Sequence, residues 1–241
     1  METHYTPISP DQPFSFSCSR KISCFNECCR DLNQFLAPYD ILRLKTRLGL
    51  SSTDFLKHYT TKHTGPESGL PIIVLKTDAS PSAKCPFVKP HGCSVYEDRP
   101  SSCRMYPLMR VKSRSRETAK LSEHYLLLKE GHCKGFREDA AWTIKTWEVE
   151  QGLCTYNEMN DRMLELISMK NRRAAGPLDP ESKRLFSLAL YDLDRFRMHL
   201  CQKDLSGMAA IPNETLDQIT TDDEALLKFA FNWIRQVLFP L

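Results

Sequence analysis

FSCSRKISCFNECCRDL (residues 16–32) places four cysteines, two of them adjacent, in a loop-like polar stretch. The rest of the chain gives no reason to read them as disulfide partners. Its 241 residues are 41% hydrophobic and 26% charged, which suffices for a core that needs no covalent staples. The opening METHYTPISPDQPFSFS lacks a basic segment followed by an apolar run, so no secretory signal is expected. No window approaches a membrane span. The expected compartment is cytoplasmic, where thiols stay reduced.

Ten cysteines are then an anomaly. Cys154 and Cys201 each stand alone in a helical pattern and are expected to pack as small buried hydrophobes. The other eight are Cys18, Cys24, Cys28, Cys29, Cys85, Cys93, Cys103 and Cys133, and all fall in polar, proline-rich sequence. Thiolates are soft donors that select zinc or iron–sulfur clusters over hard cations. Several donors on one short loop lose little chain entropy on chelation. CPFVKPHGC (85–93), with two prolines and a glycine between its thiols, reads as a tight ligand-presenting turn.

Eight thiols make up to two sites of four, the number that a tetrahedral Zn2+ or a 4Fe–4S cluster takes. The Cys28–Cys29 pair favours division. Neighbouring side chains point to opposite faces of an extended segment and diverge by about 100° on a helix. Such a pair serves two centres more easily than it chelates one; a vicinal disulfide is the competing idea. Which four share a site stays open at this level. Two such sites would turn the formal +3 into about −1, so the basic balance is no argument for nucleic acid. Arg20, Lys21, Arg30, Arg99, Arg104 and Lys134 lie close in sequence to a candidate ligand and are expected to offset its charge. His91 and His132 are expected to hydrogen-bond rather than ligate.

Outward from the cysteines, residues 1–15 read as an extended polar arm. APYDILRLKTRLGL (37–50) reads as a helix, with Pro38 in the first turn and Gly49 as its stop. SSTDFLKHY reads as a second helix capped by Ser51. The pair has the outline of a helix-turn-helix, but it shows no Arg/Lys-rich face, which argues against DNA recognition. LPIIVLKTD (70–78), YPLMRVK (106–112) and HYLLLKE (124–130) read as strands, the last two joined by the basic loop SRSRETAK. From Asp139 the pattern turns helical, with a break at AAGPLDP and one long helix over PESKRLFSLALYDLDRFRMHL. The expected fold is α+β. A cysteine-rich metal-binding half with short strands and helices (1–138) packs on an all-helical half (139–241).

The combination F-x-C…C-x3-CC-R, CPFV…GC-x-VYEDRP-x-x-CRMYPL and C-x-GF, spanning roughly Phe16 to Phe136, resembles the YkgJ-type cysteine cluster proteins. These are also described as the zinc- or iron-chelating CxxCxxCC domain family. The resemblance implies metal binding through the same eight cysteines and little about activity. The x5 and x3 spacings here are wider than the family's usual x2 gaps.

Three functions follow as expectations. The first is an iron–sulfur protein that passes electrons or senses redox state and docks a protein partner. The second is a structural zinc protein whose work is binding. The third is an enzyme of the flagellin lysine N-methylase type, suggested by the C-x3-CC element, although no glycine-rich methyl-donor fingerprint follows a strand. Neither nucleic acid nor a membrane is an expected partner, and no catalytic residues can be named.

Overall fold

The computed structural model describes residues 3–115, 118, 120–173, 176–205 and 211–240. Arg116, Glu117 and Ala119 of the basic loop, and Ala174 and Ala175 of the expected break, lie outside them. In chain order the first elements are β1 (Thr3–Ile8), β2 (Phe14–Ser15), β3 (Phe35–Leu36), α1 (Pro38–Leu48), α2 (Ser52–Tyr59), β4 (Thr60–Thr64) and β5 (Pro71–Leu75). Next come β6 (Val88–Lys89), β7 (Gly92–Cys93), α3 (Ser101–Met105), β8 (Leu108–Arg114), β9 (Leu121–Glu130) and β10 (Ala141–Trp142). Helices α4 (Ile144–Glu150), α5 (Cys154–Arg173), α6 (Pro180–Tyr191), α7 (Leu193–Gln202), α8 (Asn213–Thr221) and α9 (Asp223–Leu238) complete the chain. Short antiparallel strands come first and helices dominate the second half, an α+β fold.

The chain forms two compact units, and they do not follow a linear cut at residue 138. One comprises Met1–Gln34 with Lys76–Asn157, the other Phe35–Leu75 with Glu158–Leu241. Apolar faces decide this grouping: α1 and α2 bury Ile41, Leu44 and Phe55 in the unit that holds the C-terminal helices.

The cysteine-bearing unit is built on the antiparallel sheet β1-β9-β8. The arm expected at 1–15 is extended, but β1 is a sheet strand, paired with β9 from Thr3↔Glu130 to Ile8↔Tyr125. Hairpin β8–β9 keeps register from Leu108↔Leu127 to Arg114↔Leu121. β2 pairs with β10 through Phe14↔Trp142, and this seats Phe16 in an aromatic cluster. The Phe16 ring lies 5.2 Å from that of Phe136 and 5.6 Å from those of Tyr106 and Trp147, all edge-on, the arrangement ring quadrupoles favour. Trp142 Nε1 donates to the Phe16 carbonyl and Trp147 Nε1 to that of Met105. One core cluster thus fixes three of the cysteine-bearing segments.

The helical unit carries the small sheet β3-β5-β4 and a core that includes Phe55, Phe186, Phe196, Leu226, Leu227 and Ile234. Its helices start where short polar side chains satisfy first-turn amides. Ser51 Oγ accepts from Asp54 N–H, Asp179 from Glu181 and Ser182, and Asp222 from Glu224 and Ala225. The long helix expected over 180–200 is two helices. The chain breaks at Asp192 (φ −108°, ψ 62°), whose carboxylate accepts the hydroxyls of Ser52 and Thr53. Among the described residues, no helix is long and apolar enough to cross a membrane.

Candidate metal centre

All eight candidate cysteines belong to the first unit, on four segments that backbone and side-chain hydrogen bonds link. Phe16 N–H donates to Ala140 O (2.9 Å) and Ser17 N–H to Gly135 O (3.0 Å), which lays Cys18 beside the Cys133 turn. The approach requires glycine at 135, since a Cβ there would stand 2.6 Å from the Phe16 ring and 2.7 Å from the Ser17 carbonyl. Cys24 Sγ accepts the Lys134 N–H at 3.1 Å. A 3-10 turn over Glu27–Cys29, entered through left-handed Asn26 (φ 69°), then presents Cys28 and Cys29.

From Cys29 the chain turns toward the second cysteine loop. Cys85 N–H donates to the Cys29 carbonyl (2.9 Å), and Arg30 bridges Lys84. Asp78 bends the intervening segment by accepting the amides of Ser80 (3.2 Å) and Lys84 (2.8 Å). The β6–β7 hairpin sets Cys93 opposite Val88, whose N–H reaches the Cys85 carbonyl (3.2 Å). Cys103 lies on α3, its Sγ 3.6 Å from Gln34 Oε1, while Gln34 Nε2 donates to Ser102. Arg104 anchors this helix. Its guanidinium donates to the carbonyls of Arg99 (3.1 Å), Gln151 (2.7 Å) and Glu97, and lies over the Tyr156 ring.

The thiols sense one another. Burial, followed by Cys28, Cys24 and Cys133, pushes Cys18 up to about 11. Burial also raises Cys133, Cys85 and Cys93, and N–H groups aimed at sulfur oppose it in each: Gly135 at Cys133, Phe87 and Val88 at Cys85, Val95 at Cys93. The Cys29 thiol donates to Cys28, which lowers Cys28 and raises Cys29. Amides two or three residues beyond a sulfur are the donors that stabilise a ligating thiolate.

Of the expected charge-compensating cations, Arg99 is buried and interacts with both Cys93 and Cys103. Arg104 serves carbonyls, Arg30 pairs with Glu27 at 3.3 Å, and Lys134 contributes its backbone N–H. Arg20, Lys21 and His91 are exposed. The sequence reading missed Tyr106. Its buried hydroxyl makes no hydrogen bond of regular geometry, yet it lies against Cys133 and Glu130, and burial with these two neighbours raises it. A donor held there suits a sulfur that carries charge. Tyr106 follows Cys103 by three residues, a proximity that gave no hint of a role at Cys133. His132 Nε2 is likewise buried without a hydrogen bond, 3.8 Å from Glu130.

Cys154 and Cys201 are exposed, not buried. The buried face of α7 is Leu193, Phe196 and Leu200, and Cys201 lies about 100° off it; on α5 the inward positions are Tyr156 and Met159.

All ten cysteines are thiols rather than disulfides. Among the described residues, no three His, Cys, Asp or Glu side chains already stand in a group that could hold a metal ion. The structure supplies convergence, not a closed coordination shell. Soft donors, sulfur-directed amides, the buried Tyr106 hydroxyl and Arg99 fit a thiolate-bound metal in chemistry and charge. Searches among curated proteins and solved structures gave no significant match. The family model of the CxxCxxCC zinc- or iron-chelating domain matches residues 17–134, the span that carries all eight converging cysteines. By that match and this chemistry, residues 17–134 are a segment similar to the CxxCxxCC zinc- or iron-chelating domain.

Proposed function

We propose that Cys18, Cys24, Cys28, Cys29, Cys85, Cys93, Cys103 and Cys133 bind iron–sulfur chemistry used in electron transfer or redox sensing with a protein partner. The observation that carries the reading is the convergence of eight reduced thiols from four segments, several with amides directed at sulfur. Cys18, Cys28 and Cys103 are exposed, so the sulfur cluster lies near the surface, where a docked partner could exchange electrons with it. When bound, the cluster supplies a one-electron couple. The protein's own contribution is to tune the sulfurs: the amides of Gly135, Phe87, Val88 and Val95, the Tyr106 hydroxyl and Arg99 each favour negative charge on them.

Structural zinc is the second reading, favoured by the CPFVKPHGC turn. Two amides point at Cys85 and one at Cys93, and the hairpin between them is only two residue pairs long. A segment with so little regular structure gains most of its order from a bound ion.

Anaerobic purification followed by elemental analysis and a visible spectrum separates the two. Iron with matching sulfide, and an absorption band that dithionite bleaches, is the expected result. A colourless protein with stoichiometric zinc replaces the first reading with the second, and protein that retains no metal overturns both.

A further inference from the structure

We infer that the eight thiols divide as Cys18, Cys24, Cys28 and Cys133 at one centre and Cys29, Cys85, Cys93 and Cys103 at the other, the vicinal pair contributing one sulfur to each. The inference rests on the metal-binding reading above and names what that reading leaves open.

Backbone geometry builds the first group. Ser17 N–H on Gly135 O and Lys134 N–H on Cys24 Sγ draw Cys18 and Cys24 to the Cys133 turn. Glu27 N–H on Cys24 O starts the 3-10 turn that delivers Cys28 to the same place. The second group has separate anchors. Cys85 N–H on Cys29 O joins those two residues, the β6–β7 hairpin returns Cys93 toward the Cys85 turn, and the Gln34 side chain ties Cys103 to the segment just after Cys29.

The electrostatic contacts sort the same way. Cys18 senses Cys28, Cys24 and Cys133, and Cys133 senses Cys24 and Cys28. Cys29 senses Cys85 and Cys103, and Cys85 senses Cys93.

Cys28 is the junction, since Cys85 and Cys93 sense it as well and Cys29 donates to it. Two facts assign it to the first centre. Cys18, Cys24 and Cys133 need a fourth donor, whereas Cys29, Cys85, Cys93 and Cys103 already number four. Cys28 also senses Glu130, which flanks Tyr106 on the Cys133 side. The centres differ in surroundings: the second has the buried Arg99 beside Cys93 and Cys103, and the first has the Tyr106 hydroxyl and Glu130.

The test uses the unaltered full chain loaded with cadmium, a spectroscopic stand-in for either metal. A proton–cadmium correlation spectrum should show two cadmium resonances, each coupled to the β-protons of the four cysteines named for it. Two ions with any other ligand lists, or Cys28 protons coupled to both ions, overturn the division alone. A chain that takes up no metal removes the reading beneath it. As a second arm, Cys24→Ser with Cys133→Ser should keep about one of two equivalents after a chelator wash, and Cys103→Ser with Cys133→Ser should keep neither. Equal retention by the two double variants overturns the division.

Discussion

At the scale of single residues, Tyr106 and Arg104 show how neighbours in the RPSSCRMYP block come to do different work. Tyr106 is directed at Cys133, 27 residues away in sequence, while Arg104 is spent on three carbonyls and an aromatic face. Removing a hydroxyl that supports a ligating sulfur typically weakens metal binding about 10- to 100-fold. Tyr106→Phe is expected to show a loss of that size in competition with a chromogenic chelator, with the fold unchanged by circular dichroism. Unaltered affinity would detach the hydroxyl from the site. Arg104→Lys keeps the charge but not the planar fork, so the buried Arg99 carbonyl and two partly buried ones lose donors, at roughly 1–3 kcal/mol. Urea unfolding should register that loss in the cysteine-bearing unit, and a midpoint within error of the parent would refute it.

Among elements, the start of α9 is tied to α1 and α7 by an ionic network within the helical unit. Lys45 Nζ, on a largely buried side chain, lies 2.7 Å from Asp223 Oδ2 and 3.1 Å from Asp194 Oδ1, and Arg197 also pairs with Asp223. Burial alone would raise Asp223, but hydrogen bonds and charge from Arg197 and Lys45 outweigh it and hold the carboxyl below its ordinary value. A depressed carboxyl contributes stability above its unfolded pKa of about 3.9, and the contribution fades as pH falls through the lower folded value. Lys45→Met should therefore cost about 2 kcal/mol at neutral pH, less than the 3–5 of a fully buried pair because the carboxylates are partly wet. It should also flatten the acid limb of the stability curve below about pH 4. Parallel acid limbs for parent and variant would show that the pair is not coupled to folding.

For the whole molecule, the division into two compact units sets where metal can matter. Every candidate ligand belongs to the unit formed by Met1–Gln34 and Lys76–Asn157. Metal binding energy is folding energy for a loop-rich site. Chelation should therefore accelerate amide exchange through residues 16–34, 78–105 and 131–138. The amides of α1, α6 and α9, each in the other unit, should be left protected. Uniform loss of protection along the chain would mean that the metal supports the fold as a whole.

Much of this protein was legible in its sequence. Donor softness and number marked eight cysteines as candidate ligands, and Pro38 and Ser51 marked the starts of α1 and α2, because these signals act within a few residues of chain. The grouping of 35–75 with the C-terminal helices, the strand at Thr3–Ile8, the break at Asp192 and the outward-facing Cys154 and Cys201 required the tertiary structure. Each depends on which distant surface a segment meets. The same holds for the sulfurs: composition offers them as metal ligands, but only hydrogen bonds such as Cys85 to Cys29 and Ser17 to Gly135 decide which of their segments meet.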